Sequence, residues 1–302
     1  RGIGKYGSSY DIINVHNYPA DIAVVSCKKK CVWMCNEPEL YLLAGRKELS
    51  PQFRLYCRLM LALERYIVRK HIRHVVVSDR FNAGRFSAIY GVEPYIVHYG
   101  IDHDFFSSGD GAGARLRFGL GDAFAVLQVG MLSPFKNQMA SLQALHEVKN
   151  DIPNIKLIFA GYGEDKYKKE LEDYAAANGL GEYVIFTGHL CRDDIRDLLH
   201  GCDLLIHPVK AQGGWLSPFE ALSAGKRIIV SDEMTAADII KREGLGIVTS
   251  RYADAIRDAY KEYQNALYSQ SVEKGRLWVK ENLSWQGFAD KMIGIYEKAL
   301  SE

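Results

Sequence analysis

The sequence lacks any apolar run approaching the roughly 20 residues that a membrane-spanning helix needs. It also lacks a strong charge of either sign, because 38 lysines and arginines stand against 37 aspartates and glutamates, for a net charge of +1. This composition argues against an integral membrane protein and gives no indication of a nucleic-acid partner. We expect a cytoplasmic protein, either soluble or peripheral on the inner face of the membrane.

The six cysteines lack the paired spacings of a zinc ribbon or of a secreted disulfide framework. Cys27, Cys31 and Cys35 are close together, and a metal site is one interpretation of them. Because Cys31 and Cys35 flank the apolar Val-Trp-Met of a predicted strand, reduced and buried thiols are the favoured alternative. The sequence therefore predicts no metal and no redox cofactor.

The chain also lacks an initial methionine, and nothing before Asp11 resembles the opening strand and glycine-rich turn of a nucleotide-binding fold. We therefore expect an N-terminally truncated chain. A removed signal peptide is one explanation and an incomplete sequence is another.

Short apolar runs rich in β-branched residues alternate with longer amphipathic stretches, as in the βα units that build parallel sheets. The 302 residues exceed the usual size of one hydrophobic core, so the sequence predicts an α/β fold with two Rossmann-like domains. The predicted strands are 12–16, 31–35, 75–78 and 95–98 in the first part, and 123–129, 155–160, 184–187, 204–207, 227–230 and 246–248 in the second.

The segment 107–113 is rich in glycine and serine, which predicts an exposed linker between the domains. The predicted domains are residues 1–106 and 107–284. Residues 285–302 form a C-terminal helix, whose Phe288, Met292, Ile295 and Tyr296 recur at helical spacing and predict packing against the body of the protein.

Two loops carry candidate ligand-binding residues. After the strand 123–129, Gly130 and Met131 lead to Lys136 at a helix start, where free backbone N–H groups and a lysine favour a phosphate; a solvated lysine is the alternative. After the strand 204–207, Gly213 and Gly214 allow a ligand to approach the backbone closely. Glu220 in the following helix can accept both hydroxyls of a ribose, or can merely balance the helix dipole.

Taken together, these segments resemble the family-four retaining glycosyltransferases, relatives of glycogen synthases, sucrose synthases and phosphatidylinositol mannosyltransferases. The resemblance rests on landmarks that occur in the family's order: Gly130 with Lys136, Gly161-Tyr162-Gly163-Glu164, Thr187-Gly188-His189, Cys202-Asp203-Leu204-Leu205-Ile206-His207-Pro208, and Glu220-Ala221-Leu222-Ser223-Ala224-Gly225. It implies the GT-B fold, with two parallel sheets facing across a cleft, an incomplete N-terminal acceptor domain and a C-terminal donor domain.

The resemblance also implies site residues. Lys136 binds the diphosphate, Glu220 binds the ribose, and His16, Lys136 and Gln212 are the catalytic candidates, although a structural role for His16 stays open. His16 and Glu37 lie on the acceptor side. The implied donor site comprises Gly130, Met131, Lys136, Gly161, Gly163, His189, Leu190, Gln212, Gly213, Gly214, Trp215, Leu216, Ser217 and Glu220.

Two positions depart from the family's pattern. Gln212 stands where the family usually has glutamate, and Met131 stands where it usually has arginine. Loss of one preorganised cation costs about 3 kcal/mol of transition-state stabilisation unless another group replaces it. Lys210 and Arg227 are the candidates for that replacement. Donor choice and activity both depend on these positions.

The implied reaction is retaining, metal-independent transfer of a hexose from a UDP- or GDP-sugar, such as mannose or glucose, to a saccharide or lipid-linked acceptor. A sugar-nucleotide epimerase and a binding protein without transfer activity are the alternatives. A dehydrogenase is disfavoured because Gly161-Tyr162-Gly163 lacks the third glycine of a dinucleotide site. Asp102-His103-Asp104 spells a metal-binding Asp-x-Asp but lies in a predicted linker.

Residues 53–70 are predicted to form one helix with a stripe of arginines, namely Arg54, Arg58, Arg65 and Arg69. Cys57, Leu61 and Val68 border this stripe, which suits contact with anionic lipid headgroups. The alternative is a solvated arginine face opposite a leucine face that packs in the core.

Overall fold

The computed structural model describes residues 9–26, 29–210, 215–265 and 267–302, without the side chains of residues 26, 267–269 and 271. The chain divides into two compact units. Unit 1 comprises Arg1–Gly100 and Trp285–Glu302, and unit 2 comprises Ile101–Ser284. No described helix is long and apolar enough to cross a lipid bilayer.

All ten predicted strands are confirmed, each within two residues at either end. They are β1 (Ile12–His16), β2 (Lys30–Met34), β3 (His74–Val77), β4 (Tyr95–Ile96), β5 (Phe124–Val129), β6 (Ile155–Ala160), β7 (Val184–Gly188), β8 (Leu204–His207), β9 (Arg227–Val230) and β10 (Ile247–Val248).

Helices connect these strands. They are α1 (Ala20–Ala23), α2 (Glu39–Gly45), α3 (Pro51–His71), α4 (Arg80–Tyr90), α5 (His103–Phe106), α6 (Gly111–Arg117), α7 (Gln138–Val148), α8 (Asp165–Ala177), α9 (Arg192–Gly201), α10 (Leu216–Ser223), α11 (Ala237–Glu243), α12 (Tyr252–Tyr263), α13 (Leu267–Asn282) and α14 (Trp285–Ser301).

Unit 1 contains a parallel sheet in the order β1-β2-β3-β4. Because side chains alternate along a strand, Trp33 faces one side of the sheet and Val32 faces the other. Trp33 packs edge-on against Phe86 and Tyr90, with ring centroids 5.5 and 5.7 Å away. The opposite face is covered by the terminal helix α14, through Met292, Ile295 and Ala299.

Unit 2 contains a parallel sheet in the order β10-β9-β8-β5-β6-β7. From β5 the chain proceeds outward through β6 and β7, then returns to the other side of β5 and proceeds through β8, β9 and β10. The strand order therefore reverses between β5 and β8. The central strands are apolar almost throughout, as expected for strands with helices on both faces.

The units divide at Gly100, six residues before the predicted boundary at residue 106. The Asp102 side chain accepts from Phe105 N at the start of α5, and Asp110 accepts from Gly113 N at the start of α6. The glycines permit close packing here: a Cβ on Gly109 or Gly111 would lie 2.6 or 2.7 Å from atoms of His200. The segment 107–113 is thus a packed part of unit 2, not a linker.

Candidate functional site

The carboxyl-terminal edge of the unit 2 sheet has the topology of a ligand site. In open parallel sheets, ligands bind outside the carboxyl ends of the strands at the point where the strand order reverses, because the loops there diverge and leave a crevice. That point lies between β5 and β8. The loop after β5 carries Lys136, and the loop after β8 leads to Glu220 in α10. The two principal predicted residues therefore follow the two strands that flank the crevice.

Glycines form the turns at this edge. Gly130 and Gly161, which follow β5 and β6, have φ values of 141° and 155°, a conformation that strains other residues. A Cβ on Gly161 would lie 2.0 Å from the Gly130 carbonyl oxygen, and a Cβ on Gly163 would lie 2.0 Å from that of Leu132. Only glycine allows these loops to touch. The backbone of predicted residues Gly130, Gly161 and Gly163 thus forms one continuous surface.

Lys136 lies directly over the first of these turns. Its aliphatic carbons are 3.6 Å from where a Cβ of Gly130 would be, and its backbone N–H donates to Ser133 O at 3.0 Å. Gln128 Nε2 donates to the Lys136 carbonyl at 2.7 Å. The backbone that carries the lysine is therefore held in place at the crevice.

Two hydrogen bonds tie this loop to the loop after β8. Asn137, in the left-handed conformation at the start of α7, donates from Nδ2 to Pro208 O at 2.9 Å. The Lys210 N–H donates to Phe135 O at 2.9 Å. The segment that leads to Gln212, Gly213 and Gly214 thus begins beside Lys136. Those three predicted residues themselves lie outside the described part of the chain.

The first residues of the next helix differ in orientation. The Trp215 indole is buried, with its ring centroid 4.7 Å from that of Phe219, so this side chain belongs to the core of unit 2. Leu216 is exposed and Ser217 is half-buried at the start of α10. Of these three predicted donor-site residues, Leu216 and Ser217 present their side chains to solvent.

Glu220 is half-buried in α10. Burial raises the pKa of its carboxyl to about 7, and the nearby positive charge of Arg192 partly opposes this rise. A carboxyl that is short of solvent is suited to accept hydroxyl groups from a ligand.

Arg192 is a site residue that the sequence reasoning missed. It begins α9, just after β7, and its guanidinium lies 4.2 Å from the Phe105 ring centroid and 2.9 Å from Asp102 Oδ2. The Asp-x-Asp motif thus caps a helix and pairs with this arginine. Among the described residues, no group of three or more His, Cys, Asp or Glu side chains is arranged to hold a metal ion. The position of Arg192 after a strand could have identified it.

Met131 is exposed, so the crevice has an apolar side chain where a cation was expected. Of the two proposed replacements, Arg227 is excluded. It begins β9, at the opposite edge of the sheet, where it pairs with Glu262 at 2.6 Å. Lys210 is exposed and its backbone is bonded to the Lys136 loop, which keeps it at the correct edge.

The turns after β6 and β7 lie side by side. Tyr162 and His189 are both exposed, with ring centroids 5.5 Å apart in an edge-to-face arrangement. Leu190 is half-buried beside them. Two neighbouring rings and an aliphatic side chain provide an apolar border of the kind that a nucleobase can contact.

In unit 1 the predicted residues His16 and Glu37 follow neighbouring strands at one edge of the sheet. His16 ends β1, and its Nε2 lies 3.2 Å from Asn14 Nδ2, which also donates to Tyr296 OH at 2.8 Å. Glu37 lines a cavity of about 330 Å³ together with Asn17 and Asn36. Since Asn17 N donates to Met34 O at 3.1 Å, the residue after His16 is bonded to the end of β2.

The predicted metal-site alternative at the cysteines is not supported where the structure describes it. Cys31 and Cys35 are buried, and burial raises the pKa of the Cys35 thiol far above its usual range. The Cys35 thiol is therefore a neutral core group, and the Cys31 thiol is likewise buried in the unit 1 core. Cys27 lies outside the described residues.

Comparison with known proteins agrees with these observations. The family model described as "Glycosyl transferases group 1" matches residues 119–278, more than half of the chain. D-inositol 3-phosphate glycosyltransferase of Mycobacteroides abscessus is 25% identical over 240 residues, covering 76% of this chain and 52% of that protein. The chain thus spans about half the length of that relative.

A GDP-mannose-dependent alpha-(1-6)-phosphatidylinositol monomannoside mannosyltransferase of Mycobacterium tuberculosis is 24% identical over 288 residues, covering 86% of this chain and 74% of that protein. Among solved structures, Anabaena Alr3699/HepE in complex with UDP superposes with a TM-score of 0.84 at 19% identity, covering 98% of this chain and 81% of that chain. The chain therefore belongs to the glycosyl transferases group 1 family and has the GT-B fold.

Proposed function

We propose that the protein is a retaining glycosyltransferase that moves a hexose from a nucleoside-diphosphate sugar to a saccharide or lipid-linked acceptor. The observation that carries this proposal is the placement of Lys136 and Glu220 after the two strands where the sheet order reverses. A diphosphate and a ribose are adjacent in a sugar nucleotide. A lysine with backbone amides on one side and a carboxylate on the other match these two groups.

The donor would lie along the glycine turns of unit 2. The proposed diphosphate ligands are Lys136 and the backbone at Gly130, with Gln212, Gly213 and Gly214 from the adjoining loop. Arg192 and Lys210 add positive charge at the same edge. Tyr162, His189 and Leu190 would border the nucleobase. We propose that these protein cations stabilise the leaving diphosphate without a metal.

In the proposed reaction, the bond between the anomeric carbon and the diphosphate oxygen breaks, and the diphosphate leaves with the electron pair. The acceptor hydroxyl forms the new bond on the face that the diphosphate leaves, and its proton passes to the diphosphate oxygen. The configuration at the anomeric carbon is thereby retained. We propose His16 and Glu37 as contacts of the acceptor.

Two nucleobases are candidates for the donor, the uracil of a UDP-sugar and the guanine of a GDP-sugar. The Anabaena neighbour was crystallised with UDP and with UDP-glucose, whereas the mycobacterial relative is GDP-mannose-dependent. A thermal-shift titration with UDP, GDP, ADP and their sugars distinguishes them. A ligand at 100 times its dissociation constant adds about 2.7 kcal/mol to the free energy of unfolding, so one nucleotide class should raise Tm by several degrees.

The site assignment is tested by two variants and two matched controls. Lys136→Ala and Glu220→Ala should each abolish the nucleotide-induced shift. Lys261→Ala on α12 and Glu172→Ala on α8 remove exposed charges that are paired within their own helices, and should leave the shift intact. A full shift in both site variants would refute the site. Nucleotide binding without sugar transfer would favour the binding-protein alternative, and release of a free epimerised sugar nucleotide would favour the epimerase.

We also propose that unit 1 contacts an anionic membrane surface through α3, with one correction to the predicted face. Cys57, Leu61 and Val68 are buried in the unit 1 core, so they cannot contact lipid. The outer face instead exposes apolar side chains beside the arginines Arg54, Arg58, Arg65 and Arg69, and these are Leu55, Leu59, Leu63 and Tyr66. An exposed apolar row bordered by cations suits the headgroup region.

Liposome flotation tests this contact. Recovery should be several-fold higher with anionic than with neutral vesicles, and Leu59→Gln with Arg58→Gln should remove the difference. Equal recovery on both kinds of vesicle would exclude the proposed contact of α3 with an anionic membrane. The proposed nucleotide binding by unit 2 would be unaffected.

A further inference from the structure

The amino-terminal edge of the unit 1 sheet contains a second concave site, separate from the acceptor-side edge. A cavity of about 350 Å³ lies there, and its walls are dominated by basic side chains. We call it the amino-edge pocket, and the residues that define it are Lys29, Lys30, Lys70, His71, Arg73 and His74.

The sheet register explains why these residues converge. Strands β2 and β3 are parallel neighbours with Val32 opposite His74. The residues that enter the two strands, Lys29 and Lys30 on one and Arg73 on the other, therefore emerge at the same edge. Helix α3 ends at His71, directly before β3, and adds Lys70. Two separate chain segments, residues 29–30 and 70–74, thus bring cations to one concavity.

The charge of the pocket is poorly balanced. Among the described residues that line it, the acidic side chain is Glu302, whose Oε2 lies 3.4 Å from His74 Nε2. Within the part of the chain that the structure describes, Lys30, Lys70 and Arg73 form no ion pair. These three positive charges therefore face one carboxylate. Like charges around a concave, partly desolvated surface repel one another, and a bound anion relieves this repulsion.

The back of the pocket is rigid. His74 is only 5% exposed. Its ring stacks on that of Tyr95, with ring centroids 5.9 Å apart and ring planes within 8° of parallel. Burial lowers the pKa of His74, and the charges of Lys298, Lys30 and Arg73 lower it further, while Glu302 opposes them. The imidazole is thus a neutral hydrogen-bonding group at the back of a cationic rim.

Solvation of isolated surface lysines does not account for this arrangement. Lys70 and His71 alone would be explained as cations in the last turn of α3, where they balance the helix dipole. Lys29, Lys30 and Arg73 lie outside any helix, yet they line the same cavity. The combination of a cavity, a buried imidazole and four cations matches a compact anion with several oxygens.

We propose that the amino-edge pocket binds a phosphate-monoester or diphosphate anion, either free in solution or as the headgroup of a lipid. The strands of this sheet are about 15 Å long, which separates the pocket from His16 and Glu37 at the opposite edge. The bound anion is therefore not the acceptor in the transfer reaction. The site is independent of the nucleotide site proposed for unit 2.

Inorganic pyrophosphate is the probe for the free anion, with binding measured by isothermal titration calorimetry on the full chain. Lys30→Ala with Arg73→Ala should raise the dissociation constant about tenfold, and Glu302→Gln should lower it about threefold because the competing carboxylate is removed. The matched control is Lys47→Ala with Arg80→Ala, which removes one exposed lysine and one exposed arginine of unit 1 outside the pocket. The control should bind as the parent does.

Pyrophosphate could also enter the nucleotide site, so the titration is repeated in Lys136→Ala. Binding that survives Lys136→Ala but weakens in the pocket variant supports the proposal. The proposal is overturned if pyrophosphate binding is lost in Lys136→Ala and retained in Lys30→Ala with Arg73→Ala. It is also overturned if this double variant and its control lose binding equally.

Vesicles provide the second arm. Flotation with phosphatidic acid, a phosphomonoester, is compared with phosphatidylglycerol vesicles of equal surface charge. A preference for phosphatidic acid that disappears in the pocket variant supports a lipid headgroup as the source of the anion. The proposal is wrong if neither pyrophosphate nor phosphatidic acid binds in a way that depends on Lys30 and Arg73.

Discussion

The carboxyl-terminal edges of the two sheets differ in composition, because backbone groups dominate the edge in unit 2 and polar side chains dominate it in unit 1. In unit 2, β5, β6 and β7 each end at or beside a glycine with positive φ, and the edge is largely backbone. In unit 1, the strands end in polar side chains, such as His16 after β1 and Ser78 with Asp79 after β3. The strand orders differ too, because only unit 2 reverses direction among the described strands.

This difference indicates a division of tasks. Backbone amides at a reversal point recognise phosphate, a group that every sugar nucleotide shares. Side chains can be exchanged without altering the backbone, so an edge built from them suits ligands that vary. This construction fits the proposed placement of the donor on unit 2 and of the acceptor on unit 1.

The largest expected effect comes from breaking the backbone edge. Gly161→Ala places a Cβ 2.0 Å from the Gly130 carbonyl oxygen at a φ of 155°. The two loops must separate, and we expect a loss of about 3 kcal/mol in the free energy of unfolding of unit 2. Nucleotide-induced thermal stabilisation should disappear with it. Chemical denaturation and the thermal shift measure the two effects.

Gly181→Ala is the control for this change, because a Cβ there meets nothing within 4 Å and its backbone has no positive φ. It should alter stability by about 0.5 kcal/mol or less. If Gly161→Ala still binds nucleotide, the contact between the loops after β5 and β6 is not needed for binding. The proposal that the backbone of these loops forms the nucleotide site would then be wrong.

A smaller effect is expected from breaking the side-chain edge of unit 1. Asp79 is buried and caps α4, accepting from Asn82 N, Asn82 Nδ2 and Ser78 Oγ at 2.8 Å each. Asp79→Ala removes the cap and leaves buried donors unsatisfied, which should cost about 2 kcal/mol. Hydrogen exchange of the α4 amides locates this loss within unit 1.

Asp110→Ala supplies the comparison for Asp79, because Asp110 caps α6 in an exposed position and accepts from Gly113 N at 2.8 Å. Water can replace that bond, so about 1 kcal/mol should be lost. Equal costs at both caps would show that burial of the unit 1 network adds nothing to its stability.

The sequence predicted the strands well because each is a short β-branched run between polar turns. The predicted boundary lies beyond Gly100 because glycines at 109 and 111 indicate flexibility in a sequence, whereas the fold uses them for close packing on His200. It also misassigned Cys57, Leu61 and Val68, since a helical pattern shows which residues share a face but not which face is buried.

The candidate site was only partly predictable for a related reason. Lys136 and Glu220 belong to local patterns beside strands, so their shared edge follows once the strand order is known. Arg192 also follows a strand, β7, but its proximity to Glu220 arises from tertiary packing of α9. The opposite locations of Lys210 and Arg227 depend on which end of a strand each residue occupies.

Buried acids extend the comparison between the units. In unit 2, Asp203 accepts from Ala125 N at 2.8 Å and lies 3.4 Å from the Arg115 guanidinium. In unit 1, Glu64 and Asp21 are buried together, and Glu64 accepts a hydrogen bond from Tyr90 OH at 2.6 Å. The first acid has a cationic neighbour, whereas in the second pair Glu64 holds a proton instead.

A pH dependence of stability is expected for unit 1. Burial and the neighbouring charge of Asp21 together raise the pKa of Glu64 to about 8, although the hydrogen bond from Tyr90 opposes this rise. The folded state therefore holds a proton that the unfolded state releases near pH 4.5. This contribution to stability is complete below that pH and is lost as the pH rises towards 8.

Glu64→Gln keeps an acceptor for Tyr90 OH but cannot ionise, so its stability should change less between pH 5 and about pH 8 than that of the parent chain. Urea denaturation at several pH values, followed by hydrogen exchange in α3 and α4, measures the slope for unit 1. Glu172→Gln on the exposed face of α8 should leave the slope unchanged. Identical slopes in Glu64→Gln and the parent would mean that the acid pair is ionised in the folded protein. Asp21 and Glu64 would then need a cationic neighbour, as Asp203 has in Arg115, and the difference between the buried acids of the two units would disappear.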